Sequence, residues 1–407
     1  MSNCALPVDD WERAVIDLWR KGQLCSGTIQ IYLQWVRRFR VFCKRRKLDE
    51  VEQLTRKGLQ RFVRHYAGPR LGNRASAPSS RRVAHNALHA WSCALRALGV
   101  ATPPWRINRE VPPLPPLLEE YRRYRQAHCG VSIRTLRRDI DTASAFLALQ
   151  RRQRRLIEQT GLQDVDVFVR KTAARFSTST VADTCSSLRA FLRFLHTTGR
   201  LTADLASGVM RPRFRVSQRP PRTLPWDDVR HILRSIEKKQ PPGRRDFAII
   251  LLLATYGLGA AEVLALQLGD IDWKGSVIWA HRPKTKASIE LPLLPAVARA
   301  LIDYLRWERP PAKGSTHLFL RKNMPYEPMT SAAIRHRIRH WATLAGIPAK
   351  IIGAHAFRHS HATRQVDAGA NIKVLSDILG HRSVSSTSVY VRVALKRLRG
   401  VALPVPR

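Results

Sequence analysis

Apolar residues recur at three- and four-residue spacings through the first half of the chain, and this period predicts amphipathic helices. The clearest patterns lie at residues 28–39, 59–64, 88–95, 135–147, 166–170 and 188–195. The last three patterns follow the first three at an offset of about 107 residues, which falls to about 100 for the final pair. We interpret the first set as a divergent duplicate of the second. Convergence between two small helical bundles is the alternative.

Two segments interrupt the helical pattern and divide the chain into predicted domains. Residues 101–116 are rich in proline, which does not continue a helix, and residues 211–222 hold five arginines and no acidic residue. The predicted parts are a helical domain at 1–105, a second helical domain at 117–210, a basic linker at 211–222 and a third domain at 223–407. We expect each domain to have a core of its own.

The third domain mixes two periodicities. A threonine, a proline and two aspartates at 223–228 form a helix start, residues 246–268 are apolar enough for a buried helix, and Thr330 with Ser331 opens another helix. Residues 276–281 and 287–292 are rich in β-branched and aromatic side chains, which predicts two strands. The expected fold class is therefore mainly α with a small β-sheet.

The balance of charges indicates a polyanionic partner. The chain carries 71 lysine and arginine residues against 30 aspartate and glutamate residues, a formal net charge of +41. A surface with this excess repels itself unless it binds a polyanion, and nucleic acid is the expected one. An anionic membrane also attracts such charge. However, no apolar run reaches the roughly 18 residues of a spanning helix, and the amino terminus lacks a signal-peptide core.

Cysteine and histidine usage argues against a metal site. The six cysteines at positions 4, 25, 43, 93, 129 and 185 form no Cys-x-x-Cys pair, which favours reduced thiols in a cytosolic setting. His355, His359 and His361 are close in sequence, but no cluster of acidic or thiol ligands accompanies them. We therefore expect neither a zinc site nor another metal centre.

The candidate chemistry lies in the last fifty-odd residues. His355 and Arg358 are three residues apart and so share one face of a helix. His381 follows Leu379-Gly380, and Tyr390 lies nine residues further on. A phenol oxygen can displace a sugar hydroxyl and hold a DNA phosphate covalently. That step needs cationic donors around the phosphate and an acid for the leaving oxygen, and this stretch contains both kinds of side chain.

Residues that typically begin or end helices divide this stretch into two predicted helices. Gly369 is well placed to end the helix that carries the His-x-x-Arg pair, and Asn371 is a good cap for a following short helix. Gly380 would stop that short helix. His381 would then stand at the mouth of the site.

From about residue 222 to Tyr390 the chain resembles the tyrosine recombinase (phage integrase) family, with a looser match back to about residue 117. The resemblance is specific at His355, Arg358, Leu379-Gly380-His381 and Tyr390. It implies one or more helical DNA-binding domains followed by an α+β catalytic domain. It also implies DNA strand exchange through a 3'-phosphotyrosyl intermediate, with no metal and no nucleotide cofactor.

The resemblance implies a role for each matching residue. Tyr390 matches the nucleophile, and Arg358 matches one of the phosphate-binding arginines. His355 and His381 match positions that support proton transfer and phosphate contact. Lys284, between the two predicted strands, aligns with the general acid toward the leaving 5'-hydroxyl.

One position departs from the family pattern. The family has its first catalytic arginine in a Gly-x-Arg-x-x-Glu pattern on a helix; here Gly259 stands at the arginine position and Glu262 is kept. Loss of a phosphate donor costs roughly a hundredfold to a thousandfold in rate, by analogy with oxyanion-hole deletions. Three explanations stay open: an engineered loss, another arginine in its place, or a recombinase that has become a DNA-binding partner. Arg282 and Arg321 are the candidate substitutes.

Several further basic residues are candidate DNA contacts. Arg335 and Arg339 lie four apart on the helix that the family uses in the major groove, where arginine binds guanine or phosphate. The hairpin and linker contribute Arg282, Lys286, Arg211, Arg213 and Arg215. Lys286 is also the second choice for the general acid. A hairpin that only touches the DNA backbone is the alternative to a catalytic lysine.

Two function classes follow. The first is an active recombinase that moves or integrates a mobile element, and the second is a catalytically impaired DNA-binding subunit of a recombination synapse. Expected partners are double-stranded DNA, further copies of the chain as a tetramer on two sites, and related recombinases. The expected location is the bacterial cytoplasm in association with the nucleoid.

Overall fold

The computed structural model describes residues 10–22, 24–66, 78–105, 113–212, 223–283, 287–312, 314–324, 326–348 and 352–380. Its described residues form mostly helices and one small antiparallel sheet, which confirms the predicted fold class. None of the described helices combines the length and the apolar character that a bilayer span requires.

The first bundle consists of four helices. They are α1 (Trp11–Lys21), α2 (Ser26–Arg45), α3 (Arg56–Tyr66) and α4 (Pro78–Ala97). The aromatic rings of Trp19, Phe39, Phe62 and Trp91 are buried in its core. This bundle therefore has a hydrophobic core of its own.

The second bundle repeats this order of helices. It consists of α5 (Pro116–Cys129), α6 (Ile133–Arg152), α7 (Leu162–Ala173) and α8 (Thr178–Thr197). Helix lengths of 11, 20, 11 and 20 residues in the first bundle are followed by 14, 20, 12 and 20 residues in the second. The two long helices of each bundle, α2 with α4 and α6 with α8, pack against each other. The predicted helices are confirmed, and the shared order supports the duplication hypothesis.

The third domain holds the sheet and the remaining helices. Its elements are α9 (Trp226–Arg234), α10 (Gly243–Tyr256), α11 (Ala260–Ala265), β1 (Ile271–Asp272), β2 (Val277–His281), β3 (Ser288–Pro292), α12 (Pro295–Trp307), α13 (Ser331–Leu344), α14 (Ala354–Asp367) and α15 (Ile372–Leu379). The strands pair in the order β1-β2-β3, with Ile278 opposite Leu291. Helix α10 lies in the core and packs against α12 and α14. The two predicted strands are confirmed, and the two-residue β1 was not predicted.

The prediction of one helix at 246–268 is wrong. Helix α10 ends at Tyr256 because Gly257 takes a left-handed conformation with φ of 63°. The chain then runs extended to Gly259, which is the N-cap of the short helix α11. Gly259 therefore does not lie in the interior of a helix. There, glycine would destabilise the helix by about 1 kcal/mol relative to alanine, and this loss does not occur at an N-cap.

A buried ionic cluster ties α10 to α13. Asp246 on α10 is 1% exposed and accepts hydrogen bonds from Arg245 at 2.9 Å, from the Trp341 indole at 2.9 Å and from Arg337. Both Arg337 and Trp341 lie on α13. One carboxylate thus satisfies donors from both helices, which fixes the orientation of α13.

The described residues divide into two compact units. One unit contains the second bundle, and the other combines the first bundle with the third domain. Within the latter unit, Met324 of the loop between α12 and α13 packs against the core of the first bundle.

Candidate active site

Arg358 is the centre of the candidate site. It lies on α14, is 9% exposed, and donates from Nη1 to Glu262 Oε2 at 3.1 Å. Its Nη2 donates to the backbone carbonyl of Leu379 at the end of α15. This guanidinium therefore links α11, α14 and α15 immediately before Gly380 and His381.

Glu262 holds the site together. As the third residue of α11 it accepts a hydrogen bond from the backbone amide of Gly259 at 2.6 Å, a helix-capping contact. The same carboxylate receives Arg358 and lies 3.9 Å from Arg282 Nε. Glu262 thus has a structural role in this chain, even though position 259 carries no arginine.

Arg282 follows strand β2 and enters the same site. Its side chain is 12% exposed, and Nη2 donates to the backbone carbonyl of Asp377 at 3.1 Å and to that of Ile378. Burial lowers the pKa of Arg282; the carboxylate of Glu262 opposes this shift, and the guanidinium of Arg358 adds to it. Arg282, predicted both as a basic residue of the hairpin and as a candidate substitute for the missing arginine, thus lies inside the site.

The histidines of α14 differ in their surroundings. His361 is buried against α10, with its Nδ1 3.2 Å from the carbonyl oxygen of Ala254, and it is part of the packing. The ring of His355 stacks edge-on with His359 at 4.2 Å. Partial desolvation lowers the pKa of His355, and Arg358 lowers it further. His355 is nevertheless exposed at the surface.

The helix ends around the site agree with the sequence predictions. Helix α14 ends at Asp367, just before Gly369 with φ of 93°. The Asn371 side chain caps α15 by accepting from the amide of Lys373 at 2.8 Å, and Gly380 ends that helix with φ of 66°. The end of α15 lies beside the guanidinium groups of Arg282 and Arg358, which donate to the backbone carbonyls of Ile378 and Leu379.

Several predicted residues lie outside the described part of the chain. They are His381, Tyr390, Lys284, Lys286, Arg213 and Arg215. Their roles stay predictions. Among the residues that the structure describes, no group of three or more His, Cys, Asp or Glu side chains is arranged to hold a metal ion.

The remaining basic candidates lie on exposed surfaces. Arg335 and Arg339 are exposed on α13, whose opposite face buries Ile334 and Ile338, and the Thr330 hydroxyl caps the helix. Arg211 is exposed beyond α8. This geometry leaves one basic face of α13 accessible to a ligand.

Arg321 does not share the Glu262 site. It pairs with Glu327 at 2.8 Å within the loop between α12 and α13. Of the two arginines considered as substitutes, only Arg282 lies beside Glu262. Sequence reasoning did not find this link. The one indication in the sequence was Glu262 itself. A glutamate kept at this position without an arginine at position 259 predicts that another cation lies beside it.

Two comparisons of the sequence agree with this arrangement. The chain matches the phage integrase family over residues 222–397 and the phage integrase N-terminal SAM-like domain over residues 118–199. It is 41% identical over 227 residues to the integrase/recombinase y4rF of Sinorhizobium fredii (strain NBRC 101917 / NGR234), a match that covers 54% of this chain and 52% of y4rF. The chain therefore spans about half the length of that relative.

A shorter relative and a solved structure complete the comparison. The integrase/recombinase y4gC of the same organism is 38% identical over 190 residues, which is 46% of this chain and 96% of y4gC. A lambda integrase tetramer bound to a Holliday junction shares the fold, with a TM-score of 0.52 and 16% identity over 67% of this chain and 76% of the integrase chain. Together with the arrangement of Glu262 and Arg358, these matches establish that the chain belongs to the phage integrase family, the tyrosine recombinases.

Proposed function

We propose that this chain is a site-specific recombinase that cleaves and rejoins double-stranded DNA through a 3'-phosphotyrosyl intermediate on Tyr390. The observation that carries the proposal is the buried guanidinium of Arg358, held between Glu262 and the end of α15. Cations fixed before the substrate arrives stabilise the charge that develops on a phosphate during attack. Membership in the tyrosine recombinase family supports this function.

Each residue has a defined part in the proposed reaction. The phenol oxygen of Tyr390 attacks the phosphorus, a new O–P bond forms, and the bond from phosphorus to the 5'-oxygen of the sugar breaks. Lys284 donates a proton to that departing oxygen, while His355 and His381 assist proton transfer and phosphate contact. Attack by the 5'-hydroxyl of another strand reverses these steps and releases Tyr390.

The fold provides the basic surfaces that DNA binding needs. The exposed arginines of α13, Arg335 and Arg339, are the proposed groove contacts, and Arg211 with the rest of the linker is the proposed backbone contact. Lys286, which lies between β2 and β3 in the sequence, is a further candidate. A net charge of +41 supports a large phosphate contribution to affinity.

The first bundle is proposed as a second DNA-binding domain. Its helix order and lengths match those of α5–α8, the part of the chain that matches the family's N-terminal SAM-like domain. Chains of this kind act on integrated or mobile DNA, and a cytoplasmic, nucleoid-associated location goes with that role. Related recombinases are further candidate partners.

Strand exchange between two duplexes tests the proposed function. The probes are two differently labelled duplexes, each with a copy of the same site. That site is first selected by this protein from a pool of random-sequence DNA. We expect recombinant duplexes in buffer with EDTA and no nucleotide. Stable binding of both duplexes without cleavage of either would instead favour the non-catalytic synapse subunit.

We further propose that the protomers assemble as a tetramer on two DNA sites, as in the lambda integrase tetramer on a Holliday junction.

An apolar groove in the third domain is lined by Leu291, Leu294, Val374, Leu375 and Ile378. Val374 is 55% exposed and Leu294 is 42% exposed. The proposed occupant is the apolar tail of a neighbouring protomer, with contacts from Leu395, Leu398, Val401 and Leu403, which lie outside the described residues. Packing of the tail on its own domain is the alternative.

Truncation after Arg399 should leave binding to one site unchanged and impair synapsis of two sites. A Val374→Asp exchange should give the same defect, because it places a charge in the proposed groove. The matched control is Ile302→Asp on α12, where the side chain is 45% exposed and outside the groove. Gel-shift and sedimentation measurements separate the one-duplex complex from the two-duplex complex. A truncated chain that still forms the full two-duplex complex would contradict the coupling role of the tail.

A further inference from the structure

Position 259 lies beside the carboxylate of Glu262 and the guanidinium of Arg358 but carries no side chain. Gly259 has an ordinary extended conformation, with φ of −78° and ψ of 157°, so its glycine is not required by the backbone. A Cβ atom there would lie 3.5 Å from Glu262 Oε2 and 3.7 Å from Arg358 Nη1. A side chain at this position would therefore begin beside both charged groups, but glycine supplies no such side chain.

Arg282 brings a guanidinium to the same carboxylate from a different element. It reaches Glu262 from the end of β2, and its Nε lies 3.9 Å from Oε1 of that residue. Room for it exists because residue 380 is glycine: a Cβ atom there would lie 2.4 Å from Arg282 Nη1. Gly380 also has φ of 66°, a conformation that side chains rarely adopt.

The burial of Arg282 leaves it with an unused donor. Its Nε is inaccessible to solvent and makes no hydrogen bond among the described residues, while Nη2 contacts the carbonyl groups of Asp377 and Ile378. The carboxylate of Glu262 lies beside two guanidinium groups, those of Arg282 and Arg358, and its single negative charge does not neutralise two buried cations. A phosphate oxygen that contacts the exposed part of the Arg282 guanidinium would offset this excess of positive charge.

We propose that Arg282 binds the scissile phosphate as the second guanidinium of the site, in place of the arginine that position 259 lacks. This inference rests on the proposed recombinase function. The competing role is structural: Arg282 would only attach the β2 end to the C-terminus of α15. The two roles predict different results. Only if Arg282 contacts the phosphate does the effect of removing Arg282 depend on the negative charge of that phosphate.

A neutral phosphate separates the two roles. In a methylphosphonate one non-bridging oxygen is replaced by a methyl group, which removes the negative charge. The probes are nicked duplexes of the selected site, with either a phosphodiester or a methylphosphonate at the cleavage position. We expect Arg282→Ala to lose about a hundredfold or more in the rate of covalent capture on the diester, and less than about tenfold on the methylphosphonate. Equal losses on the two substrates, or no loss on the diester, would overturn the proposal.

Restoring the family arginine gives a second readout. In the Arg282→Ala background, Gly259→Arg should recover most of the lost rate, because the new side chain starts beside Glu262 and Arg358. In the wild-type background the same change should alter the rate by only a few-fold, since Arg282 already fills the role. The matched control is Arg321→Ala, which removes an exposed arginine paired with Glu327 and should leave the rate unchanged. If Gly259→Arg does not restore the rate, Arg282 does not perform the role of the arginine that the family has at position 259.

A binding measurement keeps this proposal distinct from the proposed function. Selected duplexes with one methylphosphonate at successive positions are bound to Tyr390→Phe protein, with and without Arg282→Ala. We expect one position where neutralising the phosphate weakens binding by the protein that retains Arg282, and where this loss disappears in the Arg282→Ala variant. If wild-type protein fails to cleave yet this pattern is found, the recombinase function fails and the phosphate contact stands. If no position distinguishes the two proteins, the phosphate contact is wrong.

Discussion

Replacement of Tyr390 by phenylalanine is expected to abolish covalent capture of DNA and leave DNA binding intact. The exchange removes a single oxygen atom, which is the proposed nucleophile, and the remaining site has no other group assigned to attack the phosphate. The neutral phenol contributes no charge to phosphate binding, so the salt dependence of affinity should be unchanged. Denaturing gels of a nicked duplex measure capture, and fluorescence anisotropy measures binding.

The matched control for this experiment is Tyr124→Phe. Tyr124 lies on α5, where its ring contacts Phe194 and His128 of the second bundle. This variant should form the covalent complex at the wild-type rate. Adduct formation by the Tyr390→Phe protein would show that another residue is the nucleophile.

Replacement of Asp246 by alanine is expected to destabilise the third domain by about 3–5 kcal/mol, because it leaves buried guanidinium groups without their carboxylate. Arg245 is 5% exposed, and Arg337 and Trp341 would lose the acceptor that joins α13 to α10. Hydrogen exchange should accelerate in α10 and α13. A local readout is needed because a chain with several cores need not unfold in one transition.

Asp227→Ala is the control for the Asp246 prediction. Asp227 pairs with Arg230 on the surface of α9, with 70% of its side chain exposed, and such an exposed pair contributes little to stability. Its loss should leave the exchange rates of α10 and α13 unchanged. Wild-type exchange rates in the Asp246→Ala protein would mean that the buried cluster does not fix α13.

The local part of this fold was predictable from the sequence. Periodicity located α2–α4 and α6–α8 but missed α1 and α5, and the capping preferences of Asn371 and Gly380 located the ends of α15. The His-x-x-Arg spacing placed Arg358 in the site. These features depend on residues within a few positions of one another, so a single sequence contains the information that defines them.

The rest depends on pairs that are distant in sequence. Arg282 meets α15 across 95 residues, and Arg337 meets Asp246 across 91 residues. No periodicity reports such contacts. The break at Gly257 was also missed, because the apolar run continues on both sides of it and a glycine within such a run does not by itself show that the helix ends there.

Mapping the DNA-linked residue tests the central claim most directly. Wild-type protein is incubated with a nicked suicide duplex, in which the short strand carrying the 5'-hydroxyl dissociates after cleavage and the covalent complex accumulates. Trypsin and nuclease digestion followed by mass spectrometry then identify the modified peptide. We predict a nucleotide adduct on the tryptic peptide 383–392, whose one tyrosine is Tyr390. An adduct on another residue, or bound DNA with no adduct at all, would contradict the claim that this chain cleaves DNA through Tyr390.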